Sequence, residues 1–509
     1  MQLMKIKVLL IVCFSLNMFA QSLTVYVDPI NGNDSNSGTK SLPYSTISKA
    51  LAVVAAGDTI FLRGGRYILN STISISKSGT IDKYLHLFAY PGERPLLDFS
   101  SMSYSSSNRG ILLKSSYWYI NGLDVKGAGD NGMLIESGNY NTVEFCSFFE
   151  NRDTGLQLAK GASGNRIINC DSYNNYDPPL GGNADGFAPK LDVGSWNYFY
   201  GCRAWQNSDD GWDGYLRPSN DITTVLENCW SFNNGYLKNG ISSSGNGNGI
   251  KMGGSDNKDL AHNFILRNCL TFDNRVKGFD QNNNRGSMTL YNCTGFRNGT
   301  YNFSISSALN AGKILDVKNS VSLASSGVLL LGSSIQQANS WLSGFSVSNS
   351  DFVTIDSAGV RGPRKSDGSL PEIAFMHLSS GSKLIDAGVL VGIPFTGNAP
   401  DLGAFEFGMS MPTDFVGSDE IPIELELAQN YPNPFNAGTI ISFKIAETGF
   451  VTIKVFDCLG REVAILINEE KVPGNYSIHF DANFLPSGIY FYRIDSGKFS
   501  QTRKMILMK

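Results

Sequence analysis

Histidine is scarce in this chain, four in 509 residues, and charge is thin: 17% of positions are Asp, Glu, Lys or Arg, with a net charge of −4 at pH 7. No polybasic run offsets that balance, so there is no electrostatic case for nucleic acid or for an anionic membrane surface. Long amphipathic helical patterns are nearly absent. Past the N-terminus no apolar stretch is long enough to span a bilayer. What is plentiful is glycine, 54 in all, with many Asn and Ser between short apolar runs. That composition describes short, closely spaced strands joined by tight turns. A chain of this length is either several domains or one elongated repeat, and the composition favours the repeat.

The first 20 residues read as a secretory signal peptide: Lys5 and Lys7 precede an apolar run from Val8 to Phe14, and Ala20-Gln21 is the expected cleavage point. Cys13 lies inside the apolar run without a small residue before it, so no lipoprotein anchor is expected. From Val25 the chain reads as the opening of a coil. Ser45 to Ala56 is expected to form a short helix covering the open end of that coil, with Ile47, Ala50, Leu51 and Val54 apolar. Strand-like runs follow at 58–63, 72–75 and 84–88.

One motif then returns six times. Aligned on Cys146, Cys170, Cys202, Cys229, Cys269 and Cys293, the third residue onward is always aromatic: Phe149, Tyr173, Trp205, Phe232, Phe272 and Phe296. The fifth is always Asn, at 151, 175, 207, 234, 274 and 298, and the third residue before is Val143, Ile167, Phe199, Leu226, Leu266 and Leu290. Spacings of 24, 32, 27, 40 and 24 residues are those of stacked coils with insertions. The register predicts an all-β chain, a right-handed parallel β-helix over 21–408, in which the aromatics stack through the core and the Asn side chains bond from coil to coil. Six cysteines in an exported chain could form three disulfides, and neighbouring coils about 4.8 Å apart do not forbid it. Yet all six share one column beside an aromatic one, which suits small buried thiols, so free stacked cysteines are expected. The β-helix is expected to continue through 315–320 and 327–331 to closing runs at 381–388 and 399–408.

After a linker at 409–420, an antiparallel pattern begins at Ile421. Its segments YPNPFN (431–436), FDCLGREV (456–463) and LPSGIYFYRI (485–494) resemble the C-terminal sorting domain of type IX secretion substrates. The resemblance implies a small β-sandwich over 421–509 that the type IX machinery recognises, and a secreted or cell-surface destination.

A second alignment uses a Gly followed by an apolar residue: Gly132-Met133, Gly155-Leu156, Gly186-Phe187, Gly211-Trp212, Gly249-Ile250 and Gly278-Phe279. Immediately before these glycines stand Asn131, Thr154, Asp185, Asp210, Asn248 and Lys277. Two residues after them stand Leu134, Gln157, Ala188, Asp213, Lys251 and Asp280. Asp185 therefore falls beside Asp210, with Asp209 and Asp213 close by, and Lys251 falls one coil beyond Asp213. Each Asp alone would be an ordinary turn residue. Four converging carboxylates would disfavour joint ionisation unless a cation resolved the conflict. With no His or Cys in the patch, Ca²⁺ fits the oxygen donors and zinc does not.

The segments NADGFAPK (183–190), NSDDGWDGY (207–215) and NGIKMGG (248–254) resemble polysaccharide lyase family 9. The resemblance spans roughly 25–406. It implies that Asp185, Asp209, Asp210 and Asp213 bind catalytic calcium and that Lys251 is the Brønsted base. The chemistry is coherent in its own right. A cation on the C-6 carboxylate of a uronate acidifies the C-5 proton, a lysine removes it, and the C-4 oxygen leaves. A lysine base must be neutral, and calcium lowers its pKa while Asp280 raises it, so an alkaline optimum is expected. Lys277, with Arg275 and Arg285 nearby, is the candidate grip on a substrate carboxylate. The expected substrate is an acidic plant cell-wall polysaccharide, homogalacturonan or rhamnogalacturonan, acted on by a monomer.

Two other readings use the same residues. A pectin hydrolase on this fold would use paired carboxylates as acid and base. The related hydrolase family also leans on a histidine, and none of His86, His262, His377 and His479 is expected beside the Asp cluster. A non-catalytic, carbohydrate-binding or adhesin solenoid would keep the calcium as a structural ion.

Overall fold

The computed structural model describes residues 22–409 and most of 426–508. The expected signal peptide and almost all of the expected linker lie outside the described residues. Strands of two to six residues form three parallel sheets of twelve, ten and ten strands that wrap a common interior. One coil runs from Thr142–Glu144 in the first sheet through Ser147–Phe149 in the second to Leu156–Ala159 in the third, then returns to the first at Arg166–Ile168. The short helix Ile47–Val53, capped by Thr46 Oγ1 accepting from Lys49 N at 3.2 Å, buries Ile47 and Ala50 against the first coil.

The repeat read from sequence is the observed register. Val143 pairs with Ile167, Ile167 with Phe199, Phe199 with Leu226, Leu226 with Leu266 and Leu266 with Leu290. The residue ahead of each ladder Cys, namely Phe145, Asn169, Gly201, Asn228, Asn268 and Asn292, has φ between 49° and 61°. This left-handed corner turns the chain from the first sheet into the second, and Asn and Gly adopt it at least cost. The six cysteines are buried free thiols. The asparagines bond in series, each Nδ2 donating to the next Oδ1: Asn151 to Asn175 at 3.0 Å, Asn175 to Asn207 at 2.8 Å, Asn207 to Asn234 at 3.0 Å, Asn234 to Asn274 at 2.9 Å and Asn274 to Asn298 at 2.9 Å. A shorter ladder, Asn141 to Asn165 to Asn197, occupies another corner.

Two expectations need correction. The aromatic column does stack, with Tyr173 and Trp205 centroids 4.3 Å apart and Phe232 and Phe272 4.7 Å apart, but not inside the coils. Strand side chains alternate with period two, so a residue three positions after an inward Cys faces outward. The column lines the outside of the second sheet, in a separate core with Phe352, Val360, Leu370, Phe375 and Phe405. The coils also end earlier than expected, at Ile335–Gln337. Residues 338–408, closing runs included, form an arm that runs back along the outside of the second sheet and covers these rings.

A buried ion triad pins the arm. Asp171 takes Arg203 and the arm's Arg364 at 2.7 Å each, and Arg203 also donates to the carbonyls of Val360 and Gly362 at 2.9 Å. Burial raises the Asp171 pKa, but the two guanidiniums outweigh it and hold it at about 2.

The C-terminal residues form two antiparallel sheets. One has three strands (Glu426–Leu427, Gly438–Ile445, Gly474–Asp481) and the other four (Glu462–Lys471, Gly449–Asp457, Gly488–Ser496, Phe499–Leu507). They share one apolar core, as expected of a small sandwich. Among the described residues, no helix is long and apolar enough to cross a membrane.

Replacing Asp171 by Asn strands two buried guanidiniums, so a loss of about 3–5 kcal/mol is expected. Limited trypsin digestion should then cut the arm near Arg361 and Arg364. A digestion pattern and melting temperature equal to the parent's would contradict this anchoring.

Candidate active site

The site lies where the third sheet begins on three consecutive coils. Phe187 pairs with Trp212, Trp212 with Ile250 and Asp213 with Lys251, so the glycine alignment was in register. Backbone approach here is close. A Cβ on Gly186 would stand 2.7 Å from both Ala204 Cβ and the Gly211 carbonyl oxygen, so these positions have no room for a side chain.

Asp185, Asp209 and Asp210 are buried, and each offers a carboxylate oxygen within 4.8 Å of the others. Asp185 Oδ1 accepts from the Asp210 backbone N–H at 3.2 Å, and Asp210 Oδ1 from that of Asn248 at 2.7 Å. Asp209 accepts from the backbone N–H of Asn246, on an inserted loop. Asp213 stands beside this trio, held between two ammonium groups: Oδ1 is 3.1 Å from Lys251 Nζ and Oδ2 is 3.5 Å from Lys190 Nζ. Lys251 also reaches Asp210 Oδ2 at 3.0 Å, and Lys190 reaches Asp185 Oδ2 at 2.7 Å.

The electrostatics follow from this crowding. Burial, then the neighbouring carboxylates against the pull of Lys190, push Asp185 up to about 8. Asp209 is raised well above the usual range by burial and then by Asp210 and Asp185. Asp213 moves the other way, because Lys251 and Lys190 outweigh its burial. Lys251, 5% exposed, is depressed by burial but lifted further by Asp210, Asp213 and the other two carboxylates, so it ends well above an ordinary lysine.

The donor set suits a hard divalent cation. All the converging atoms are oxygens, and their mutual reach matches metal–oxygen distances of about 2.3–2.6 Å. In the column of Asp185 and Asp210, the next residue, Asn248, has a buried Oδ1 with no hydrogen-bond partner, an orphaned acceptor of the kind a cation satisfies.

The expected substrate-gripping residues each have a protein partner. Lys277 Nζ sits 2.9 Å from Asp280 Oδ1 and is 31% exposed, so Asp280 is paired with Lys277. Arg275 donates to the carbonyl of Gly245 and thereby holds the loop that carries Asn246. Arg285 donates to the carbonyls of Lys258, at 2.6 Å, and Ala308.

Two residues given no role in the sequence reading stand at the site. Lys190 shares its strand face with Ala188, two residues earlier, and alternation would have found it. His262, expected to stand away from the Asp cluster, instead lies under the site, because the first sheet brings it against the carbonyl of Gly214, the residue after Asp213. Its Nδ1 donates to the Gly214 carbonyl at 2.8 Å, a tautomer assigned because a carbonyl only accepts, and its Nε2 accepts from Thr224 Oγ1 at 2.8 Å. The ring is wholly buried, and burial pushes its pKa down to about 4.

Residues 25–319 match the family model described as the Pel9A-like right-handed β-helix region, and residues 429–508 match the secretion system C-terminal sorting domain. Pectate lyase L of Dickeya dadantii is 40% identical over 392 residues, covering 75% of this chain and 90% of that protein. The crystal structure of pectate lyase Pel9A aligns with a TM-score of 0.70 at 39% identity, over 76% of this chain and 97% of that one. A rhamnogalacturonan lyase aligns with a TM-score of 0.63 at 28% identity, over 70% and 97%.

The His262 ring carries a pH signature. An unfolded histidine takes up a proton near pH 6.5 and the folded one near 4, so stability is lost as the pH falls through that window. Between pH 7 and 4.5 the parent should lose about 2–3 kcal/mol more than His262→Gln in urea unfolding. Equal acid losses would contradict a buried neutral ring.

Proposed function

Since the chain belongs to the Pel9A-like right-handed β-helix family and is a polysaccharide lyase, we propose that it cleaves pectate by calcium-assisted β-elimination, with Lys251 as the base. The observation that carries this reading is the juxtaposition of a buried lysine with a buried carboxylate trio: Lys251 Nζ lies 3.0 Å from Asp210, whose oxygens converge with those of Asp185 and Asp209. The identity with pectate lyase L supports the choice of substrate.

Asp185, Asp209 and Asp210 would hold the ion, with Asp213 at its edge. When bound, calcium supplies Lewis acidity toward the C-6 carboxylate of a uronate and makes the C-5 proton more acidic. Asp210 and Asp213 aim the Lys251 ammonium and keep its flexible stem in one place. The same carboxylates hold the lysine protonated, and they hold it less firmly once engaged by the cation, so the neutral amine is favoured toward alkaline pH. Lys251 takes the C-5 proton, a double bond forms between C-4 and C-5, and the C-4–oxygen bond breaks with its electron pair going to the leaving chain. The product carries an unsaturated uronate at its new non-reducing end. The sorting domain sends the enzyme to the cell surface or beyond, where a polymer substrate is met.

Replacing Lys251 by Ala should lower kcat on polygalacturonate about 10²–10⁴-fold, followed by ultraviolet absorbance of the unsaturated product, while calcium binding persists. Chelator should abolish turnover by the parent. Unchanged turnover in the variant, or reducing ends released in chelator without the unsaturated chromophore, would overturn the reading. Faster turnover of rhamnogalacturonan than of polygalacturonate would overturn the substrate choice alone.

A further inference from the structure

We infer that Lys190 is a resident counter-cation of the acidic cluster, one that keeps the metal-binding carboxylates assembled before the metal arrives and thereby weakens the affinity for that metal. The inference rests on the calcium reading above but concerns a residue that the reading does not use.

Lys190 follows the strand Phe187–Pro189 on the coil that supplies Asp185. Its side chain is 13% exposed, and its ammonium stands 2.7 Å from Asp185 Oδ2 and 3.5 Å from Asp213 Oδ2. A lysine on a solenoid surface would keep its charge in water. This one is turned inward to bridge carboxylates from two successive coils. Lys251 bridges Asp210 and the other oxygen of the same Asp213. When all four carboxyls are ionised, as a bound ion requires of them, four carboxylates against two ammoniums leave two negative charges, which one divalent ion cancels. Without Lys190, three would remain in a site shut off from water, where like charges repel most strongly.

Two consequences follow. Without metal, Lys190 is the cation that pairs with Asp185, which otherwise accepts only from the Asp210 N–H and Thr154 Oγ1, so the folded state depends on it most when no ion is present. With metal, its positive charge repels the incoming ion. A unit charge several ångströms from a divalent ion changes affinity by about a factor of ten or more even under water-like screening.

The test compares the full mature chain with Lys190→Met and Lys190→Arg, by calorimetric titration with calcium chloride and by thermal melting in chelator and in excess calcium. Lys190→Met should bind calcium about tenfold more tightly or better, and the gap between its melting temperatures with and without calcium should widen. Lys190→Arg, which keeps the charge, should stay within about threefold of the parent. If Lys190→Met does not accumulate as folded protein, Lys190→Gln carries the same comparison, since it keeps a donor to Asp185 but no charge. Unchanged or weaker calcium binding in the uncharged variant would overturn the inference, as would equal loss of melting temperature in both conditions, which is the mark of a structural strut. A parent that takes up no calcium would instead sink the metal reading, and this inference with it.

Discussion

Coil-to-coil register is the constraint from which the rest of the structure follows. Each strand pairs in parallel with its counterpart one coil away, and a parallel ladder has no local turn to fix its alignment. The asparagine ladder supplies what the turn cannot. Each side chain in the series donates to the next and accepts a backbone N–H from the coil before it, as Asn207 Oδ1 does from Asn175 N at 3.3 Å. A slip by one residue would leave a column of buried amides unpaired and turn every apolar side chain of the strand to the wrong face.

The same register makes the acidic cluster tolerable. Its members come from strands and corners whose backbone positions are already fixed, so the repulsion among Asp185, Asp209 and Asp210 cannot be relieved by spreading apart. Backbone donors and two inward lysines offset part of that repulsion, and a raised pKa at Asp185 and Asp209 records the remainder. A rigid scaffold thus stores an unfavourable charge arrangement that a divalent ion can relieve, a common way for a fold to pre-form a metal site.

Much of this was legible in the sequence, because a repeating fold writes its contacts as columns. The Cys, aromatic and Asn columns gave the stacking, and the glycine columns placed Asp185 beside Asp210 and Lys251 beside Asp213 without any structure. The aromatic column was assigned to the wrong side of the sheet, since a three-residue offset from Cys was not weighed against strand alternation. The arm was missed for a different reason. Residues 338–408 carry no repeat, and their place is set by partners such as Asp171 and the outward rings, more than 150 positions earlier in some cases. Lys190 and His262 escaped because each acts across coils: Lys190 reaches Asp213 on the next one, and His262 reaches Gly214 from a different sheet.

The central claim is that register alone brings three carboxylates and a lysine into one metal-assisted site. Diffraction from crystals of the mature chain grown with calcium, using the anomalous signal to locate the ion, tests it most directly. The account predicts one calcium bound by oxygens of Asp185, Asp209 and Asp210 at about 2.3–2.6 Å, with Lys251 beside it. An ion found elsewhere, or this cluster without one at saturating calcium, would contradict it.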